Sequence, residues 1–196
     1  MTRRTESEAV RRKQILTAAR RVFRDKGYDK TTVSDIVNEA GVAQGTFYLY
    51  YPSKKAVVLA LGQMMLEEIS LRMRDAYAPG LSFEDRIRKV IHVAFKVGRE
   101  NVDLCRLIHL GAESVAQELH ETMADHPVQI EMVKMFCEAS DAGEMRDVDP
   151  EMAVRLLFRM MPSCLQEAYV FSDGKDAQRL EAAMAQILIG GLVRQG

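Results

Sequence analysis

A short stretch of the chain concentrates side chains that can donate hydrogen bonds to a flat or anionic partner. It combines amide, hydroxyl and phenol groups with a lysine: Gln44, Thr46, Tyr48, Tyr50 and Lys54. Groups of these kinds bind phosphate oxygens and the edges of bases in the major groove. These residue types at this density therefore indicate recognition of a nucleic acid.

Residues that would support catalysis or metal binding lack the spacing that those chemistries need. The chain has no G-x-S-x-G, H-E-x-x-H or phosphate-loop motif, and no carboxylates paired at helical spacing in an apolar setting. Its cysteines (Cys105, Cys137 and Cys164) and histidines are scattered, whereas zinc ligands usually come in tight pairs. We therefore predict no enzyme activity, no metal and no cofactor. An active site among the middle helices is the alternative hypothesis.

Two short helices joined by a tight turn must position the donors. Apolar spacing predicts helices over 33–40 and 44–50, and Gly41 supplies the positive φ that the turn needs. Thr32 is expected to cap the first helix, with Asp35 three residues later. The inward positions are Ile36, Val37, Ala40, Val42 and Phe47. This arrangement is a helix-turn-helix, whose second helix enters the major groove of DNA.

The run from Phe47 to Tyr51 is almost wholly aromatic, which usually indicates core packing. One helix cannot direct so many consecutive residues inward. We therefore expect Phe47 and Tyr51 in the core and Tyr48 or Tyr50 on the surface.

The rest of the chain is also predicted to be helical. An apolar stripe that ends at Gly27 indicates a first helix, and no segment alternates with the period of a strand. Further helices are predicted over 54–77, 83–100, 102–120, 127–141, 150–171 and 175–194, and Pro162 is expected to kink or loosen the fifth of these. The predicted fold class is all-α. A three-helix helix-turn-helix domain over 1–53 precedes a larger helical bundle over 54–196.

The charge of the chain is distributed unevenly. Its 196 residues carry a net charge of −1, but residues 1–55 hold 12 basic and 6 acidic side chains and the remainder hold 15 and 22. The +6 segment contains the helix-turn-helix, so a polyanion is a suitable partner for it. No apolar run approaches the roughly 18–20 residues of a membrane span. Unclustered cysteines fit a reducing compartment, so we expect a cytoplasmic protein without a membrane partner.

A dense pattern of residues extends through the helix-turn-helix. It reads Thr31-Thr32-Val33-x-x-Ile36-x-x-x-Ala40-Gly41-Val42-x-x-Gly45-Thr46-Phe47-Tyr48-x-Tyr50-Tyr51-x-x-Lys54, after Ile15-Leu16-x-Ala18-Ala19-x-x-x-Phe23-x-x-x-Gly27-Tyr28. This pattern resembles the DNA-binding domain of TetR-family transcriptional repressors. Two positions depart from the family: Val37 stands where a small Ala is commoner, and Tyr51 stands where Phe is usual. The hydroxyl of Tyr51 then needs a partner or solvent.

The resemblance implies phosphate contacts for several residues. Thr32 would bind a phosphate through its hydroxyl and backbone N–H. Thr46 and Tyr48 would hold phosphates and fix the register, and Lys54 would neutralise another phosphate. Tyr50 would reach either a phosphate or a base.

The resemblance also implies residues that face the bases. Gln44 can reach a base edge, for which adenine is the best bidentate partner. Gly45 would let the backbone approach the groove closely. Leu49 is a candidate for contact with a thymine methyl group.

Two wide apolar stripes in the last two helices suit a dimer. The resemblance implies a four-helix interface between two copies, which would read a palindromic operator. The candidate interface residues are Leu156, Met160, Cys164, Ala168, Met184, Ile187, Leu188 and Gly191. The alternative is that both stripes are internal core.

The resemblance further implies a small-molecule pocket among the middle helices. The candidate ligand-binding residues are His92, Lys96, Arg99, Cys105, His109, Glu113 and Arg159. For each of them, a surface or structural role is the more common one for such a residue. The 12 methionines suit an adaptable apolar cavity, although Met at helical spacing also builds ordinary cores. A hydrophobic or lipid-like effector follows as a hypothesis.

The combined prediction is a homodimeric repressor that binds double-stranded operator DNA and is released by a small, mostly hydrophobic effector. An alternative is a DNA-binding regulator or architectural protein without such an effector. The sequence leaves activation open, because it does not show where the operator lies.

Overall fold

Helices account for most of the residues that the structure describes. The computed structural model describes residues 3–74, 80–110, 118 and 126–194. These residues form no strand, and their sole β-type pairing is an isolated antiparallel bridge between Met145 and Val193. The predicted all-α fold class is confirmed.

The helix bounds follow the predicted punctuation closely. The helices are α1 (Arg3–Lys26), α2 (Val33–Ala40), α3 (Gln44–Tyr50), α4 (Lys54–Arg72), α5 (Phe83–Glu100), α6 (Val102–Leu110), α7 (Pro127–Asp141), α8 (Pro150–Gln166) and α9 (Ala177–Leu192), and a π-helical turn (Glu167–Phe171) follows α8. Helix α8 runs through Pro162. The predicted stretch after residue 110 lies outside the described residues, apart from residue 118, which is helical.

Side-chain caps explain several of these bounds. The hydroxyl of Ser82 accepts from the backbone N–H of Asp85 at 3.1 Å where α5 begins. The carboxylate of Asp149 accepts from the N–H of Met152 at 2.7 Å, with Pro150 as the first residue of α8. Both caps satisfy backbone donors that a helix leaves unpaired at its start.

The chain divides into two compact units. One comprises residues 1–64 and 106–119, and the other comprises residues 65–105 and 120–196. The division falls within α4 and again within α6. The predicted domain boundary between residues 53 and 54 stays a prediction, because compactness does not show where one function ends and another begins.

The first unit packs α2 against α1 and α3 around a continuous apolar core. Its fully or almost fully buried side chains include Ile15, Ala19, Phe23, Ile36, Phe47, Val57 and Val58. The Phe47 ring lies 5.4 Å from that of Tyr48 and 6.2 Å from that of Tyr51. Because Phe47 is enclosed completely, it anchors the short helix α3 to the unit.

The second unit packs α5 against α9 and α7 against α8. The rings of Phe83 and Phe136 meet edge to face at 5.1 Å. The hydroxyl of the buried Tyr169, in the π-helical turn, donates to the carbonyl of Phe95 at 2.7 Å. Gly98 makes this packing close, since a Cβ there would lie 2.9 Å from Cε2 of Tyr169.

The described residues contain neither a membrane-spanning helix nor a cluster of metal ligands. No helix among them has both the length and the hydropathy for crossing a membrane. Over the same ranges, no three His, Cys, Asp or Glu side chains form a group that could hold a metal ion.

Candidate nucleic-acid interface

Helix α3 presents a continuous exposed face on the side away from its anchor. Phe47 and Tyr51 are buried, one turn apart, as predicted. The side chain of Tyr48 is 51% exposed and that of Leu49 is 80% exposed. Gln44 is exposed as well. An amide, a phenol and an isobutyl group therefore share one surface without contributing much to the core.

Three other predicted positions of this surface differ in accessibility. Thr46 and Tyr50 are half-buried, whereas Gly45 is exposed. No heavy atom lies within 4 Å of the position that a Cβ on Gly45 would occupy. The folded chain itself therefore gives no steric reason for a glycine there.

The turn of the helix-turn-helix has the predicted geometry. Gly41 adopts φ +64°, and its N–H caps α2 by donating to the carbonyls of Asn38 and Val37. Of the five predicted inward residues, Val42 is half-buried and the other four are buried. The β-branched Val37 fits the core at 6% exposure.

The start of α2 is closed by a capping box. The backbone N–H and the hydroxyl of Thr32 both donate to Oδ2 of Asp35, at 2.9 and 2.8 Å, and Asp35 N–H donates back to the hydroxyl at 3.2 Å. Lys26 Nζ lies 2.5 Å from Oδ1 of the same carboxylate. The hydrogen bond from Lys26, and then those from Thr32, lower the pKa of Asp35 to about 2.

The capping box affects the phosphate contact predicted for Thr32. Both donors of this residue already point at a carboxylate. A phosphate that bound them would have to share them with Asp35 or displace it. The predicted role of Thr32 stays a prediction.

Lys54 has a local structural role that its sequence position did not reveal. Its Nζ donates to the backbone carbonyls of Tyr28 and Thr31, at 2.6 and 2.8 Å, and lies 4.2 Å from the centre of the Tyr28 ring. The side chain thus ties the start of α4 to the segment between α1 and α2. A phosphate contact from Lys54 stays a prediction, and its removal would also disturb this tie.

Helix α1 makes a contact with α2 that the sequence analysis did not foresee. Gln14 Nε2 donates to the carbonyl of Ala40, the last residue of α2, at 2.6 Å. Arg11 in turn donates to Oε1 of Gln14 at 2.7 Å. Apolar periodicity could not have found this contact, because Gln14 lies on the polar face of its helix.

The candidate ligand-binding residues do not converge in the described structure. His92, Lys96, Arg99 and Arg159 are exposed. His92 Nδ1 lies 2.9 Å from Oε1 of Glu181, and Arg99 lines a cleft of about 360 Å³ with Tyr169 and Lys175. The side chain of His109 and all of Glu113 lie outside the described residues.

Cys105 is enclosed and unreactive in character. It is 2% exposed, and burial, followed by the charge of Asp103, raises the pKa of its thiol to about 11. A thiol with so high a pKa holds almost no thiolate at neutral pH, and thiolate is the reactive form.

The candidate dimer residues fall into two groups. Leu156 and Ile187 are 55% and 63% exposed, Met160 is 37% exposed, and Gly191 is exposed. Cys164 is half-buried, whereas Ala168, Met184 and Leu188 lie within the core of their own unit. An accessible apolar stripe therefore remains on α8 and α9.

Known proteins are similar to this chain over the helix-turn-helix, and some of them over almost the whole chain. Residues 15–61 match the family described as bacterial regulatory proteins, tetR family. Over 53 residues the chain is 53% identical to the HTH-type transcriptional regulator YvdT of Bacillus subtilis, a segment that spans 27% of that relative. Over 185 residues it is 24% identical to the fatty acid metabolism regulator protein of Bacillus subtilis, covering 91% of this chain and 94% of that one.

A solved structure extends the similarity to the second unit. The chain matches FadR of Thermus thermophilus, a TetR-family repressor in complex with lauroyl-CoA, with a TM-score of 0.71 and 27% identity. The match covers 94% of this chain and 97% of that one. The shared architecture is an N-terminal helix-turn-helix followed by a helical domain.

Proposed function

We propose, from the premise that this chain belongs to the TetR family of transcriptional regulators, that it is a homodimeric repressor of the cytoplasm. It binds a palindromic operator through α3 and is released by an amphipathic effector of the acyl-CoA class, whose acyl tail is the hydrophobic part. The main observation in support of DNA binding is the exposed face of α3. Tyr48 and Leu49 are exposed on this face, whereas Phe47 and Tyr51 are buried on the opposite side and pack the helix against the core.

The distribution of charge along the chain supports DNA as the partner. The +6 charge of residues 1–55 attracts a polyanion, and the −7 charge of the remainder does not. Phenol and amide donors on α3 supply the contacts that fix register and read base edges.

The apolar stripe on α8 and α9 supports the homodimer. Leu156, Met160 and Ile187 are exposed in a single copy, and large exposed apolar patches usually mark interaction surfaces. A two-fold dimer would place two copies of α3 about 34–36 Å apart, which matches successive major grooves on one face of DNA. Replacing Leu156 by Glu should therefore yield monomers in analytical ultracentrifugation. Ile130→Glu, at an equally exposed apolar residue of α7, should leave dimers intact.

The effector is proposed from the similarity along the whole chain. One relative of known structure, which aligns with 94% of this chain, is in complex with lauroyl-CoA. The 12 methionines of this chain suit a cavity that adapts to an acyl tail. Release requires only that the effector bind more tightly to a dimer whose recognition helices no longer match the groove spacing.

The test begins with selection of an operator from a random duplex library by the purified protein. Fluorescence anisotropy then measures affinity for the selected duplex, with and without lauroyl-CoA, stearoyl-CoA or CoA alone. We expect an enriched palindrome, and a loss of operator affinity of about 5- to 150-fold with an acyl-CoA but not with CoA.

Two variants make the test specific. Tyr48→Ala should lose operator binding, whereas Phe171→Ala, which removes an exposed aromatic ring from the second unit, should not. Failure to enrich any sequence would overturn the DNA-binding proposal. An enriched operator whose affinity no acyl-CoA changes would instead favour a regulator without this effector.

A further inference from the structure

Arg12, on the polar face of α1, reaches the end of the recognition helix α3. Its Nη1 donates to the carbonyl of Tyr50, the last residue of α3, at 3.3 Å. Its guanidinium carbon lies 5.4 Å from the centre of the Tyr50 ring and 5.7 Å from that of the Tyr51 ring. One side chain therefore touches both the backbone and the aromatic faces at this helix end.

The guanidinium also influences the hydroxyl of Tyr51, whose ring centre lies 5.7 Å from the guanidinium carbon. Burial raises the pKa of Tyr51, and a hydrogen bond from Arg12 offsets part of that rise. A buried tyrosine hydroxyl usually needs a partner, and no buried side-chain N or O among the described residues lacks one. Arg12 is therefore a cationic neighbour of the hydroxyl that Tyr51 adds to the core.

The end of α3 depends on this outside support. The helix has only seven residues and no basic residue in its last turn. So short a helix has little stability of its own, and its last carbonyls lack partners within the helix. A cation at the C-terminal end is favourable for the helix dipole. Arg12 supplies that cation from a helix 38 residues earlier in the chain.

We propose that Arg12 is a positioning residue for DNA recognition, which sets the orientation of α3 and of the Tyr50 ring. This inference rests on the proposed binding of operator DNA by α3. The competing interpretation follows from the basic run Arg11-Arg12-Lys13, in which Arg12 would be an exposed phosphate ligand. The two roles differ measurably, because a positioning residue affects sequence discrimination and a phosphate ligand affects all DNA alike.

The experiment compares Arg12→Gln with Lys13→Gln, which removes the same charge from the neighbouring exposed position. Affinities for the selected operator and for an unrelated duplex of equal length are measured over a range of salt concentrations. We expect Arg12→Gln to weaken operator binding about tenfold and unrelated binding less than about twofold. The salt slope for the operator should stay constant, whereas loss of one phosphate contact lowers its magnitude by about 0.9. Lys13→Gln should leave the ratio of the two affinities unchanged.

A conservative variant and a double-mutant cycle separate positioning from a general loss of stability. Arg12→Lys keeps the charge but not the planar fork, so it should retain unrelated binding and lose part of the operator preference. Tyr51→Phe should weaken operator binding less in the Arg12→Gln background than in the wild type, since the two residues act as a pair. Arg12→Lys also serves as the test if Arg12→Gln does not fold.

The outcomes decide between the interpretations. If both affinities fall equally and the salt slope is reduced, Arg12 is a phosphate ligand and the inference is overturned. Unchanged affinities in both Arg12 variants would overturn it as well. These results are meaningful only where the wild type enriches an operator and Tyr48→Ala loses it. Without enrichment by the wild type, the proposed function itself fails, and the positioning role fails with it.

Discussion

Gly45 offers a test that separates DNA binding from folding. Its backbone is not in the positive-φ region, and a Cβ would meet open space in the folded chain. Replacement of a helical Gly by Ala usually stabilises a helix by about 0.5–1 kcal/mol, and less in a first turn. For a chain of this size, each kcal/mol raises the Tm by about 2–4 °C. Gly45→Ala should therefore unfold at the same temperature as the wild type or slightly higher.

Binding should respond in the opposite direction. If the first turn of α3 enters the groove, the added methyl group separates the helix backbone from the base edges. Loss of a contact of this kind costs about 1–3 kcal/mol, or roughly 5- to 150-fold in affinity. Anisotropy titration of a labelled operator measures that loss, and thermal unfolding of the same sample measures stability.

A control and one refuting outcome complete this prediction. Thr17→Ala also replaces a weaker helix former by Ala at an exposed position, within α1, so it should leave the Tm unchanged or slightly higher and should not alter operator affinity. Undiminished operator affinity in Gly45→Ala would refute the close approach of α3 to DNA. A large fall in the Tm would show instead that the glycine is required by the fold.

Three further outcomes follow from the structure. Gly98→Ala should lower the Tm, because a Cβ would lie 2.9 Å from Tyr169 Cε2 and 3.0 Å from Leu165 Cδ2, and such overpacking typically costs about 1–3 kcal/mol. The pKa of Asp35 is lowered to about 2 in the folded chain, so its ionised form stabilises the fold above the unfolded pKa of about 3.9, and this stability is lost as the pH falls toward 2. Unfolding measured over an acid titration should show this loss in the wild type and not in Asp35→Asn. Operator affinity should fall steeply with salt, by about 0.9 log units per log unit of salt for each neutralised phosphate, and a flat response would contradict the electrostatic argument.

Local signals determined most helix ends before any tertiary contact was considered. Helix α2 occupies the predicted range 33–40, because the capping residue Thr32 and the positive-φ Gly41 act within a few residues of themselves. Helix α3 also occupies its predicted range, 44–50, although no side chain caps its start and the backbone is extended at Tyr51. The predicted ranges 83–100 and 127–141 are confirmed as well, and each of these helices begins at a side-chain cap, Ser82 for the first and His126 for the second. The π-helical turn at Glu167–Phe171 was not foreseen, since its apolar residues carry an ordinary helical spacing.

The spacing of apolar residues predicted the apolar faces of the last two helices, but not which of their residues are buried by a neighbouring helix. Leu156 and Met184 belong to equally apolar stripes, yet the first is 55% exposed and the second is 3% exposed. Hydrophobic periodicity measures which side of a helix is apolar, whereas burial depends on which neighbour packs there. The sequence therefore predicted two apolar faces, and only the packed structure shows which part of each is accessible.

The sequence by itself determined that this chain is helical, that residues 33–50 form a helix-turn-helix, and that the positive charge accompanies it. These properties depend on residue types within one or two helical turns. Only the tertiary structure decided the roles of Lys54, Gln14 and Arg12. Each bonds a backbone carbonyl between 23 and 38 residues away, and that distance along the chain is closed only when the helices pack.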